Sequence, residues 1–198
     1  MSSKKENKSV SAKTAAPGKN KNSSRILKTI LAGMFLGIAL ALPFLTGQIP
    51  EVGQMLLPMH LPVMICGFIC GPFYALVVGL IAPVLRFILF NNPPLVPKGI
   101  PMCFELATYG FVAGLMYRSL PKKKLYIWVS LVISMLAGRI VWAAAKMVLL
   151  GLGKAPFSFT IFITDGFVEA APGIIAQLIL VPLIVMAIKK ADTSHRLG

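Results

Sequence analysis

The sequence is poor in charge, above all in negative charge. Only 13% of its 198 residues are charged, and only six are acidic. The hydrophobic fraction is 57% and the mean hydropathy is +0.80, whereas soluble domains are about 45–50% apolar and about 25% charged. This composition excludes an ordinary soluble enzyme and a disordered protein. At about 20 residues per membrane-spanning helix, it predicts a small polytopic membrane protein.

Cysteine is also scarce. The three cysteines, Cys66, Cys70 and Cys103, all lie in apolar runs. Cys66 and Cys70 are four residues apart, on one helix face, but no histidine or further cysteine stands at the spacing of metal ligands. The sequence therefore predicts buried, reduced thiols and no metal site.

Motifs of catalysis and nucleotide binding are missing as well. The sequence contains no G-x-x-x-x-G-K-[ST] loop for ATP phosphates, no G-x-S-x-G motif and no H-E-x-x-H motif. It also lacks the inverted repeat of broken helices that secondary transporters show. These absences favour a binding subunit, neither an enzyme nor a cofactor protein, that takes its energy from partners.

Positive charge is abundant and concentrated at the N-terminus. The formal net charge is +14, and residues 1–24 are rich in Lys, Ser, Asn and Ala without an apolar period, which predicts a disordered cytoplasmic tail. No aromatic residue is interleaved with these lysines, so the tail is not expected to bind nucleic acid. We expect it to contact the anionic leaflet of the lipid bilayer. A membrane domain over 25–190 and a cytoplasmic C-terminal tail over 191–198 complete the predicted organisation.

The apolar runs predict an all-α fold with six transmembrane helices. The runs are Ile26–Leu45, Met59–Cys70, Pro72–Phe90, Ile100–Tyr117, Leu125–Leu150 and Thr160–Ile188. The second and third are nearly continuous, but the Gly71-Pro72 pair is a strong break. With six spans and both termini in the cytoplasm, the outer connections contain only Lys98 and Lys154 among the basic residues. Five spans would place many more outside, so the positive-inside rule favours six.

Charged residues inside the predicted spans are the main candidates for a ligand site, because each is costly in hydrocarbon. They are three bases and three acids: Arg86, Arg139, Lys146, Glu105, Asp165 and Glu169. At about 1.5 Å per residue from the span ends, all fall in or close to the outer half of the membrane. Arg139, Trp142 and Lys146 share one face of the fifth helix. Asp165 and Glu169, at i and i+4, share one face of the sixth.

Two interpretations of these charges are open. They line an outward-facing polar cavity with Trp142 as a stacking surface, or they form three structural ion pairs without a ligand. A cavity with three bases and three acids is formally neutral, so it suits a ligand with at most one net charge, because an unpaired buried ion costs several kcal/mol. The planar fork of Arg139 is predicted to receive the carboxylate of a monocarboxylate ligand. His60 is predicted to be a capping or interfacial residue, and the loop at 46–58 is either a lid or an ordinary exposed loop.

The first predicted helix carries three small residues on one face. Gly33, Gly37 and Ala41 are spaced i, i+4 and i+8, and small residues allow another helix to approach closely. They pack against helices of the same chain or form a docking face for a separate membrane subunit. Their spacing alone leaves both possibilities open.

The order of several segments resembles the substrate-binding S component of energy-coupling factor (ECF) vitamin transporters. The segments are Leu57–Pro62, Gly67, Gly71-Pro72, Phe104–Gly110, Gly138–Trp142 and Pro172-Gly173. The similarity covers about Ile26–Ile188. The family's sequence signals are diffuse, so the order of the segments carries the match.

The resemblance implies a vitamin held near the outer face by the later helices and the first long loop. It implies that the small-residue face of the first helix docks a transmembrane coupling subunit, which two cytoplasmic ATPases drive. That docking role falls on Gly33, Gly37 and Ala41; the family often has alanines there, and the glycines keep the surface small. The ligand role falls on the charged and aromatic residues: Arg86, Glu105, Arg139, Trp142, Lys146, Asp165 and Glu169.

The resemblance does not identify the vitamin, because family members bind different vitamins with unrelated pocket residues. Pantothenate and pyridoxine-like or pyrimidine precursors are the candidates. The expected location is the plasma membrane of a bacterium. The alternative hypothesis is an autonomous proton- or ion-coupled transporter that uses Glu105, Asp165 and Glu169 as carriers.

Overall fold

A computed structural model describes residues 21–46, 57–121, 123–152, 163–168 and 170–197. Within these ranges the chain folds into six α-helices and no strand, which confirms the predicted all-α fold. We number the helices α1 (Lys21–Ala41), α2 (His60–Ile69), α3 (Pro72–Phe90), α4 (Ile100–Ser119), α5 (Lys124–Leu152) and α6 (Ala171–Leu197). Short helical turns lie at Leu42–Thr46, Leu95–Gly99 and Thr164–Val168.

Helix α2 is much shorter than the other helices. It has 10 residues, or about 15 Å, whereas the other five in the described ranges are long and apolar enough to cross a membrane. The predicted break after α2 is confirmed. Gly71 has a φ of 109°, a conformation that favours glycine, and Pro72 occupies the first turn of α3, where its missing N–H costs nothing.

Small residues allow α2, α3 and α4 to pack closely. A Cβ atom at Gly67 would lie 2.5 Å from the carbonyl oxygen of Gly110, and one at Gly79 would lie 2.6 Å from the backbone of Leu106. Real side chains do not approach backbone atoms so closely, so larger residues at these positions would push the helices apart. This packing aligns the first turn of α2 with the first turns of α4.

Large apolar side chains cover the outside of the helix bundle. Phe73, Ile88 and Leu125 are 70%, 69% and 68% exposed. An apolar surface of this extent would make a soluble protein associate, but it suits contact with lipid. The helix lengths and this surface describe a multi-pass membrane protein.

The sixth helix differs from the sequence-based prediction. It begins at Ala171 rather than at Thr160, and Asp165 lies in the preceding turn. Asp165 therefore lies before the sixth helix rather than within it. At its other end α6 continues to Leu197, through the predicted C-terminal tail. Residues 1–20 of the predicted basic tail, Glu169 and residues 47–56 of the proposed lid lie outside the described ranges.

Candidate functional site

Four polar side chains from three helices meet in the apolar core. They are His60 of α2, Glu105 and Tyr109 of α4, and Arg139 of α5, and each is at most 4% exposed. Arg139 Nη1 lies 3.0 Å from Glu105 Oε1, which also accepts a 2.9 Å hydrogen bond from the Tyr109 hydroxyl. We call these four residues the Glu105 cluster.

His60 completes the Glu105 cluster without a hydrogen bond to it. Its Nε2 lies 3.7 Å from Glu105 Oε2, which is beyond hydrogen-bond distance. Its ring packs against that of Tyr109 with the centroids 5.3 Å apart. The prediction that His60 is a capping or interfacial residue is wrong. Met59 occupies the N-cap position, and His60 is fully buried.

Local sequence explains how the Glu105 cluster forms. Glu105 and Tyr109 are four residues apart and therefore share a face of α4. A Cβ atom at Gly138 would overlap the ring of Tyr109. The glycine before Arg139 thus lets the aromatic ring lie against the backbone of α5 and brings the guanidinium to the carboxylate.

Three buried residues carry polar atoms that the described residues leave unpaired. These are Nε and Nη2 of Arg139, both ring nitrogens of His60 and both amide atoms of Gln177 in α6. Gln177 is fully buried, on the face of α6 where Ile174 and Val181 contact the core. An unpaired buried polar group costs about 1–3 kcal/mol, and native proteins contain few. The unpaired atoms of Arg139 and His60 lie together in the Glu105 cluster, which suits hydrogen bonds with another molecule. Gln177 belongs to α6, which packs against α2 and α5.

The aromatic ring of Trp142 links two bases of α5. The guanidinium carbon of Arg139 lies 5.8 Å from the ring centroid, and Lys146 Nζ lies 4.6 Å from it. Both distances allow cation–π attraction. The prediction that these three residues share one face of α5 is confirmed, and this face runs from the Glu105 cluster towards Leu152.

Arg86 lies apart from the Glu105 cluster. Its Nη1 donates a 3.0 Å hydrogen bond to the Leu40 carbonyl at the end of α1, and its guanidinium carbon lies 5.7 and 5.8 Å from the rings of Phe44 and Phe90. The last carbonyls of a helix have no partner within the helix and carry partial negative charge. Arg86 therefore ties the end of α1 to α3.

Among the described side chains, one ion pair joins the predicted intramembrane acids and bases, Arg139 with Glu105. Counting from the end of the fifth span predicts Arg139 to lie much deeper than Glu105. Helix α5 has 29 residues, or about 43 Å, and exceeds a hydrocarbon core of about 30 Å. Counting residues from the end of α5 therefore overestimates how deep Arg139 lies below the outer membrane surface. The side chains of Asp165 and Glu169 lie outside the described part of the chain.

The sequence pattern pointed to Glu105, Arg139, Trp142 and Lys146 through their charge or their spacing. It did not point to Tyr109 or Gln177, and it assigned His60 a capping or interfacial role. Each is polar but counts as uncharged within an apolar run. The i, i+4 spacing of Tyr109 from Glu105 and the isolation of Gln177 among apolar residues were the available signals.

The small residues of α1 face away from the rest of the described residues. A Cβ atom at Gly33 or Gly37 would meet nothing within 4 Å in the described ranges, and both glycines and Ala41 are exposed. Helix α1 buries another face, which includes Phe35 and Ala39. Among the described residues, packing within the chain does not account for this stripe of small residues.

The described residues form six helices, five of them long enough to cross a membrane, around a buried polar cluster. The family model for the substrate-specific component of ECF transporters matches residues 27–185, and the chain belongs to that family. Comparison with curated proteins finds no match, and neither does comparison with solved structures. Substrate-specific components are transporter subunits rather than enzymes, and they work with ECF coupling and ATPase modules on a small-molecule substrate.

Proposed function

We propose that this chain captures a small water-soluble vitamin or vitamin precursor from outside a bacterial cell and delivers it inward. The family supports a substrate-specific component, and the observation that carries a buried binding site is the set of unpaired polar atoms on His60 and Arg139 of the Glu105 cluster. Delivery depends on a transmembrane coupling subunit and two ATPases in the plasma membrane.

The proposed orientation follows the positive-inside rule. With both termini in the cytoplasm, α2, α4 and α6 begin at the outer surface. Glu105 then lies five residues into α4, about 7.5 Å from its outer end. The Glu105 cluster falls in the outer half of the membrane, where a vitamin from outside would arrive first.

The proposed ligand site combines the Glu105 cluster with the Trp142 face of α5. Arg139 and Glu105 neutralise one another. A ligand with two or more net charges would therefore add more than one uncompensated charge to the buried site, whereas a ligand with at most one net charge would not. Pantothenate, a monocarboxylate, and the uncharged pyridoxine-like or pyrimidine precursors meet this condition. Asp165 and Glu169 remain proposed contributors, whereas the contacts of Arg86 support a role in holding α1.

We also propose that the coupling subunit docks on the stripe of Gly33, Gly37 and Ala41. The two glycines face open space within the described part of the chain, and small residues permit close approach of another helix. Exposed apolar neighbours, Ile30 and Met34, would flank that contact.

The direct test is the identity of any ligand that survives purification. The full chain is purified in mild detergent without added ligand, denatured and extracted, and the extract is analysed by mass spectrometry. A vitamin or precursor at close to one molecule per chain supports the proposal. A ligand-free protein, together with no uptake of any candidate vitamin in cells that also express the coupling subunit and ATPases, would refute it.

A further inference from the structure

We infer that the ligand presents a carboxylate to Arg139 and that Gln177 is a second ligand-contacting residue. This inference rests on the proposed function and names the substrate class of the same site, a monocarboxylate with a further polar group. It follows from which hydrogen-bonding atoms the fold has already used and which it has left over.

The guanidinium of Arg139 has one edge available. Nη1 is held by Glu105 Oε1 at 3.0 Å, while Nε and Nη2 are buried without a partner among the described residues. These two nitrogens form the side edge of the planar group, and their N–H bonds point the same way. Two parallel donors match the two oxygens of a carboxylate, whereas a single carbonyl oxygen would leave one of them unpaired.

The count of unpaired groups also points to an acceptor-rich ligand. Arg139 contributes only donors, Gln177 contributes an NH2 group and one carbonyl oxygen, and neutral His60 contributes one donor and one acceptor. Donors therefore exceed acceptors. A carboxylate supplies acceptors alone, so it balances this site better than an amine or an ammonium group.

Glu105 does not prevent an anion from binding. It lies on the Nη1 side of the guanidinium, so a ligand carboxylate on the other edge would be about 4 Å from the positive charge and farther from the negative one. Coulomb energy falls with distance, and the attraction therefore outweighs the repulsion. Glu105, held by the Tyr109 hydroxyl, acts as a positioning residue that fixes the plane of Arg139.

Gln177 is placed to hold another part of the ligand. Helix α6 packs against α2 and α5, the helices that carry His60 and Arg139. On the core-facing side of α6 the neighbours of Gln177, including Ile174 and Val181, are apolar. A fully buried amide with both atoms unpaired weakens the isolated fold. We therefore assign it to an amide or hydroxyl group of the ligand.

The test measures binding to the purified full chain with compounds that differ in their carboxylate. Pantothenate is compared with pantothenol, and nicotinate with nicotinamide, by isothermal titration calorimetry; pyridoxine serves as an uncharged vitamin. We expect one acid to bind at least about tenfold more tightly than its neutral partner. In Gln177→Leu, binding of that acid should weaken by about tenfold, the equivalent of one lost hydrogen bond.

Stability separates a ligand contact from a structural role. The melting temperature of ligand-free Gln177→Leu should be unchanged or higher, because an unpaired buried amide is removed. The matched control is Ser130→Ala, since the Ser130 hydroxyl is buried but already donates a 2.7 Å hydrogen bond to the Tyr126 carbonyl. This control should lower the melting temperature slightly and leave the affinity for the acid unchanged. A second variant, Gln177→Glu, should weaken binding of acids more than of neutral compounds.

Several results would overturn the inference. They are equal affinity for an acid and its neutral partner, tight binding of pyridoxine alone, and unchanged affinity for the acid in both Gln177 variants. Each of these leaves the proposed function standing, because a vitamin still binds. The proposed function fails in another way. In that case no compound binds the wild-type chain, no ligand survives purification and no uptake occurs with the coupling module. That result would overturn both the proposed function and this inference.

Discussion

The ion pair between Arg139 and Glu105 should show strong energetic coupling. Removal of one partner, by Glu105→Leu or Arg139→Met, leaves the other charge buried and uncompensated, which costs about 3–5 kcal/mol. The double variant removes both charges. It should lose only about 1–3 kcal/mol, because the Tyr109 hydroxyl loses its acceptor. The double variant is therefore expected to be more stable than either single variant, with a coupling energy of about 3 kcal/mol or more.

This cycle is best measured on ligand-free protein, since a bound ligand adds its own stabilisation. Denaturant unfolding in detergent would give the free energy of unfolding for the wild type, both single variants and the double variant. Tyr109→Phe serves as the control for the lost hydroxyl bond and should cost about 1 kcal/mol. Additive losses, within about 0.5 kcal/mol, would refute the reasoning, because they would mean that neither charge depends on the other.

Four further predictions concern single residues. Gly138→Ala should lower the melting temperature, because the added methyl group overlaps the buried ring of Tyr109. The cost of overpacking, about 1–3 kcal/mol, outweighs the gain in helix propensity, about 1 kcal/mol. A raised melting temperature would contradict this prediction. Gly33→Leu should abolish uptake by the complete transporter and leave ligand affinity of the isolated chain nearly intact; loss of both binding and folding would instead indicate internal packing. Arg86→Met should lower stability by about 1–2 kcal/mol through the lost bond to α1, without a change in ligand affinity, and a selective loss of affinity would place Arg86 in the ligand site. Arg139→Ala should weaken ligand binding by at least about 2 kcal/mol, roughly thirtyfold, and a folded variant that binds within about threefold of wild type would remove Arg139 from the site.

Most helix bounds were predictable because apolar runs and breaks coincide with them. The Gly71-Pro72 break is local, since the φ of Gly71 and the ring of Pro72 act within one turn. The start of α6 was not predictable from hydropathy, because the residues before Ala171 are apolar enough to extend the run. In the described ranges a separate turn at Thr164–Val168 precedes the helix.

The candidate site was predictable in part. Glu105 and Arg139 were found because a charge in an apolar run is costly wherever it lies. Their pairing was not, because it depends on how far α5 extends beyond the membrane core. His60 was misinterpreted and Gln177 was missed because burial depends on contacts between distant helices, such as that of Gly67 with α4. Such contacts between distant segments leave no local periodicity in the sequence.

The central claim, a binding subunit that depends on a coupling module, is tested most directly by uptake into proteoliposomes. Vesicles hold the purified chain alone or together with the coupling subunit and both ATPases, and the labelled substrate is the vitamin identified after purification. We expect accumulation only with the complete module and ATP, and binding without accumulation by the chain alone under any pH or sodium gradient. Gradient-driven accumulation by the chain alone would contradict the account and establish an autonomous transporter.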